Sequence, residues 1–99
     1  MFKATKEQID AWKKEHGEIF RIVIASANKA CYLKKPDRKT LGFAGVAAKE
    51  NPMKFPETIL KNCWLGGDEE IKTDDDLFLS IVPDLEKLNE IKATELEKL

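Results

Sequence analysis

The fold is decided by Glu18-Ile19-Phe20-Arg21-Ile22-Val23-Ile24-Ala25, which interrupts an otherwise helical chain. β-Branched and aromatic residues dominate this stretch, and its side chains alternate with the period of two that is typical of a strand. A turn around Asn28, a residue that tolerates positive φ, leads into Ala30-Cys31-Tyr32-Leu33-Lys34. Residues 18–34 therefore predict a β-hairpin.

A two-stranded hairpin is marginal in water and needs cover. Helices of the same chain on one face would provide it, and so would further strands from another subunit. The free edge of such a hairpin is also a pairing site for another chain.

The first helix is predicted at 6–16. Thr5 and Gln8 have the spacing of a capping box, and Gly17 follows the last helical position, where glycine commonly ends a helix. The helix is short, so it must dock on the rest of the protein to be stable.

Two further helices are predicted at 36–49 and 53–64, with Pro36 in a first turn and a break at Asn51-Pro52. Gly42 and Gly45 weaken the first of these by about 1 kcal/mol each relative to Ala. We expect them to allow close approach of a neighbouring element.

The C-terminal region is predicted to be helical at 74–97, after a polar loop at 68–72. Thr73 is the expected N-cap, with three aspartates in the first turn. Pro83 should kink or restart the helix, giving helices at 74–81 and 83–97. The chain is therefore predicted to be a single α+β domain, 1–99, with a short hairpin and four to five helices.

The charge is distributed unevenly. The 99 residues carry a net charge of −1, but residues 1–49 hold 11 Lys/Arg against 5 Asp/Glu (+6) and residues 50–99 hold 6 against 13 (−7). Either the two halves pack together and screen each other, or the surface has two faces that steer a charged partner. The near-neutral total argues against a membrane or a predominantly nucleic-acid partner.

The chain offers little material for catalysis. It has one histidine, His16, and two cysteines, Cys31 and Cys63, without the spacing of a zinc site or a nucleophile–base pair. The acidic run 68–76 departs from the EF-hand pattern. No signal peptide or long apolar run is evident. We therefore expect a non-enzymatic cytoplasmic protein with reduced thiols, no cofactor and no metal.

Two sets of residues are candidates for binding. A basic patch beside Tyr32 is either a solvated face, a match to the acidic half, or a contact for phosphate; it comprises Lys34, Lys35, Arg38 and Lys39. The last helix either caps the protein's own core or docks on another chain through Leu85, Leu88 and Ile91.

One segment resembles a known family. Asn62-Cys63-Trp64-Leu65-Gly66-Gly67-Asp68-Glu69-Glu70-Ile71, followed by Asp74-Asp75-Asp76-Leu77-Phe78, is similar to small proteins of tailed-phage and prophage structural modules. The chain more distantly resembles phage tail-assembly chaperones, over about 5–82. The resemblance implies a small, mostly helical protein without catalytic residues. Such a protein binds the long tape-measure protein and recruits tail-tube subunits during assembly.

An apolar surface for that helical partner is expected at Phe43, Phe55, Trp64, Leu77 and Phe78, unless these residues form the core. The favoured function is thus a tail-assembly chaperone or adaptor, with homo-oligomer formation open. The alternatives are a virion structural component, such as a head–tail connector or minor tail protein, and a small nucleic-acid-binding regulator.

Overall fold

The computed structural model describes residues 1–88 and 93–99. In these residues it has five α-helices, a 3₁₀ turn at Ala25–Ala27 and a three-stranded antiparallel sheet, which confirms the mixed α+β, mostly helical class. The elements are α1 (Lys6–His16), β1 (Ile19–Ile24), β2 (Lys29–Lys34), α2 (Arg38–Glu50), α3 (Lys54–Cys63), β3 (Trp64–Gly67), α4 (Glu70–Thr73) and α5 (Asp75–Lys87).

The cap of α1, its end and the hairpin turn form as the sequence predicted. The Thr5 side chain accepts a hydrogen bond from the Gln8 backbone amide, and the Gln8 side-chain oxygen accepts one from the Thr5 backbone amide, so the capping box of α1 is complete. Gly17 follows α1 with a φ of 79°. Asn28 has a left-handed φ of 55° in the turn between β1 and β2, which pair antiparallel with Ile22 opposite Cys31.

The hairpin gains a third strand that the sequence did not predict. The predicted helix 53–64 ends at Cys63, and Trp64 begins β3, which pairs antiparallel with β2. The strand order is β1-β2-β3, so β2 is central. Gly67 lies opposite Cys31, and a Cβ at Gly67 would lie 2.6 Å from the Cys31 Cα. Only glycine allows this approach.

Helices cover one face of the sheet and form the core. Ile22, Cys31 and Leu33 project to this face because alternate strand residues share a side. Buried residues of α2 to α5, together with Leu88 just after α5, form one cluster with them, and the helix residues of this cluster are Ala44, Ile59, Leu60, Cys63, Ile71, Phe78, Ile81 and Leu85.

The N-terminal segment covers the opposite face. Tyr32 projects there, and its ring centroid lies 5.5 Å from that of Trp12 in α1 and 6.0 Å from that of Phe2. The hydroxyl of Tyr32 also accepts a hydrogen bond from the Ala4 amide at 3.4 Å. The sheet therefore lies between two layers, and α1 obtains the docking contacts that so short a helix requires.

Two helix starts differ from the prediction, and one short helix was not predicted. α2 begins after Asp37, whose side chain accepts from the Thr40 amide, so Pro36 precedes the cap instead of occupying the first turn. The expected loop at 68–72 overlaps the short helix α4, which ends at Thr73. Asp74, not Thr73, caps α5 by accepting from the Leu77 amide.

Pro83 does not break the C-terminal helix. α5 runs through it without interruption, because the buried Phe78, Ile81 and Leu85 hold the helix on the core on both sides of the proline. The prediction of a helix to residue 97 is wrong for 93–97, which have no regular secondary structure. Residues 89–92 lie outside the described residues.

Candidate protein-binding face

Helix α2 presents apolar side chains to solvent. Its inner side buries Thr40 and Ala44, while Phe43 is 56% exposed and Val46 is 65% exposed on the outer side. Residues three apart lie on one side of a helix, so these two side chains are neighbours. We call Gly42, Phe43, Gly45 and Val46 together the α2 face.

The two glycines of the α2 face have no neighbour. Apart from its chain neighbours and the adjacent backbone of its own helix, a Cβ at Gly42 or Gly45 would meet no atom within 4 Å in the part of the chain that the structure describes. The expectation that they allow close approach of an element of this chain is therefore wrong. Glycine in a helix interior costs about 1 kcal/mol relative to Ala. Here it leaves a low, open surface beside Phe43.

Positive charge lies next to the α2 face. Lys35, Arg38 and Lys39 are exposed at the start of α2, Lys34 is half-buried, and the Lys39 Nζ is 6.0 Å from the centroid of the Phe43 ring. Cations at a helix N-terminus oppose the helix dipole, so they do not stabilise α2. The predicted basic patch thus borders exposed apolar surface.

Asp37 compensates part of this charge. Its carboxylate accepts the Thr40 amide at 2.8 Å, and that hydrogen bond lowers the pKa of Asp37. The cap holds the start of α2 in place beside the basic patch.

A second predicted region, around Trp64, is partly internal. Trp64 and Phe55 are half-buried and pack against the core, and the Lys72 Nζ lies 4.4 Å from the Trp64 ring centroid. A nearby groove of about 310 Å³ is lined by Glu57, Leu60, Lys61, Lys72, Asp75 and Phe78. Its two acidic and two basic residues give it no net charge.

The C-terminal candidates belong mostly to the core. Phe78, Leu85 and Leu88 are buried, and Leu77 is half-buried. Leu85 and Leu88 therefore pack on the core of this chain. Ile91 lies outside the described residues. Among the predicted apolar candidates whose burial is described, Phe43 alone is mostly exposed.

Val46 belongs to the face and was missed by sequence reasoning. The pattern around it is a run of small and apolar residues that does not show which side of the helix is buried. Its position three residues after Phe43 was the available signal, because it places both on one side.

The nucleophilic groups are poorly placed for chemistry. Cys31 and Cys63 are free and buried, and burial raises their pKa to about 12 and about 11. The thiolate is the reactive form, so both thiols are poor nucleophiles at neutral pH. His16 ends α1, with Nε2 3.7 Å from Glu15. Residues 1–88 and 93–99 contain no cluster of three His, Cys, Asp or Glu able to hold a metal.

Comparison with protein-family models, with curated proteins and with solved structures finds no match for this chain. Among the described helices, none has the length and apolar character needed to cross a membrane.

Proposed function

We propose that the protein is a non-enzymatic assembly chaperone or adaptor that receives an acidic helical segment of a partner protein on the α2 face. The observation that supports this proposal is that Phe43 and Val46 are exposed beside two glycines, and that no other described element covers these glycines. An exposed aromatic side chain on a helix that glycines weaken is a candidate contact for another protein.

The glycines favour a helical partner. Small residues lower a helix surface and let a second backbone come close, as they do where helices pack tightly. An apolar ridge of the partner would then lie over Gly42 and Gly45, beside Phe43.

The charge around the face favours an acidic partner. The face begins one turn after Arg38 and Lys39, and residues 1–49 as a whole carry +6. Complementary charge raises the rate of encounter and excludes basic partners. The partner's apolar stripe should therefore be flanked by Asp or Glu.

Phage tail assembly is the setting that we propose, and it rests on the sequence resemblance. The partner would be the tape-measure protein, which is long and helical and needs shielding before tail-tube subunits surround it. The virion-component alternative predicts instead that this chain remains in finished particles.

The test is co-expression of the tagged chain with the tape-measure and tail-tube products of its own gene neighbourhood. We expect the wild type to co-purify with the tape-measure protein. The double variant Phe43→Ser, Val46→Ser should lose most of the co-purified tape-measure protein. The matched control is Leu79→Ser, which changes an exposed apolar residue of α5 and should retain binding.

Two outcomes would overturn the proposal. One is co-purification that the α2 double variant does not reduce, with circular dichroism showing both variants folded. The other is recovery of the chain in mature particles, which would favour the structural alternative.

A further inference from the structure

We infer that β1 is the pairing edge for a second copy of this chain, so that two copies share one six-stranded antiparallel sheet. Within residues 1–88 and 93–99, β1 pairs only with β2, and its outer edge has no backbone partner. Unpaired strand edges are templates for pairing, and proteins that stay monomeric usually protect them.

The two edges of the sheet differ in protection. β3, at one edge, has four residues, ends in Gly66 and Gly67, and has an irregular register with β2. Short length, glycine and irregularity all discourage pairing. β1 has six residues, without Gly or Pro, and Arg21 is its one charged residue. β1 is the edge open to association.

Symmetry limits the register of such a pair. A two-fold axis perpendicular to the sheet relates antiparallel copies, and directly opposite residues must project from the same face. The central pair must therefore join a residue to its own copy. The two registers that use most of the strand are centred on Arg21 and on Ile22.

Charge selects between these registers. Centring on Arg21 sets two guanidinium groups directly opposite each other, which is destabilising. Centring on Ile22 sets Arg21 opposite the partner's Val23 and Phe20 opposite the partner's Ile24. We therefore assign the register centred on Ile22.

This register also covers apolar surface that the single chain leaves open. Val23 is 40% exposed, and Phe20 and Ile24 are only half-buried. A groove of about 240 Å³ borders β1 and is lined by Ile9, Lys13, Ile19, Phe20, Arg21 and Tyr32. The partner's Val23, opposite Arg21, would lie beside this groove. The net charge of −1 per chain offers little repulsion.

The inference does not depend on the proposed function, because β1 and α2 are separate elements. The α2 double variant should still dimerise, and a β1 variant should still bind the acidic partner helix.

The test is sedimentation-velocity ultracentrifugation of the full chain and of two variants that carry opposite charges at position 23. In the symmetric dimer, position 23 lies opposite the partner's Arg21 at two equivalent places. Val23→Lys sets a lysine at both places, and Val23→Glu sets a carboxylate at both. Lys and Glu are both poor strand formers, so they are matched in intrinsic preference. We expect a wild-type dimer, with the dissociation constant of Val23→Lys at least roughly tenfold above that of Val23→Glu.

Met53→Lys is the control, since it adds the same charge at an exposed apolar site just before α3 and should leave the dimer intact. Raising the salt concentration should narrow the difference between the two Val23 variants. A wild type that stays monomeric at high micromolar concentration would overturn the inference, and equal weakening by Lys and Glu would overturn the register.

Discussion

The carboxylate of Asp68 accepts a hydrogen bond from the Phe2 amide at 3.0 Å, across 66 positions of sequence. The same oxygen accepts from the Ala30 amide at 2.9 Å, and the Asp68 amide donates to the Ala30 carbonyl at 2.9 Å. One side chain therefore joins the N-terminal segment, β2 and the end of β3. These two amides lower the pKa of Asp68.

Replacing Asp68 should weaken this junction. Asp68→Ala leaves two backbone amides without their acceptor, and we expect the free energy of unfolding to fall by about 1–3 kcal/mol. Asp68→Asn keeps one accepting oxygen and removes the charge, so it should cost less. Urea unfolding at pH 7 measures both. An alanine variant as stable as the wild type would show that the junction contributes nothing.

The same carboxylate should make stability depend on pH. Its folded-state pKa is depressed, so its stabilisation is complete above the ordinary carboxyl pKa of about 3.9 and is lost as pH falls through the lower folded value. The difference in the free energy of unfolding between the wild type and Asp68→Asn should therefore be largest near neutral pH and should become small in acid. Urea unfolding at several pH values checks this, and a constant difference would contradict it.

Gly67 should not tolerate a side chain. Gly67→Ala would bring a Cβ to 2.6 Å from the Cys31 Cα, where backbone must move, and at a φ of 158°. We expect a loss of about 1–3 kcal/mol, comparable to other overpacked sites. Thermal unfolding measures it, with the helix variant Gly45→Ala as the matched substitution. A neutral Gly67→Ala would mean that β2 and β3 separate easily.

The glycines of the α2 face should trade stability for binding. Gly42→Ala with Gly45→Ala should raise the free energy of unfolding by roughly 1–2 kcal/mol, because both positions are helical and a Cβ meets nothing. The same change should weaken capture of the proposed helical partner by raising the surface beside Phe43. The free energy of unfolding and the amount of co-purified partner are both measured on the same preparation of the variant. Unchanged binding would show that the partner does not approach the glycines.

The cysteines should resist modification in the folded protein. Burial raises the pKa of Cys31 to about 12 and that of Cys63 to about 11, and neither side chain is accessible. Alkylation by iodoacetamide at pH 8 should be slow in buffer and fast in denaturant, followed by mass spectrometry. Rapid labelling of one cysteine in buffer would reveal local opening at its element.

The sequence by itself determined the features that rest on neighbouring residues. The Thr5–Gln8 cap, the left-handed Asn28 turn and the alternation along β1 need only side chains a few positions apart, so α1 and the hairpin followed from local chemistry.

The tertiary structure decided what depends on distant partners. Trp64–Gly67 is a strand because β2 offers its free edge there, and α5 continues through Pro83 because the core holds both of its ends. Phe43 and Phe78 are both phenylalanines in helices, yet Phe43 faces solvent and Phe78 is buried. Burial depends on which face of a helix meets the core, so the exposure of the candidate binding face became visible only in the folded chain.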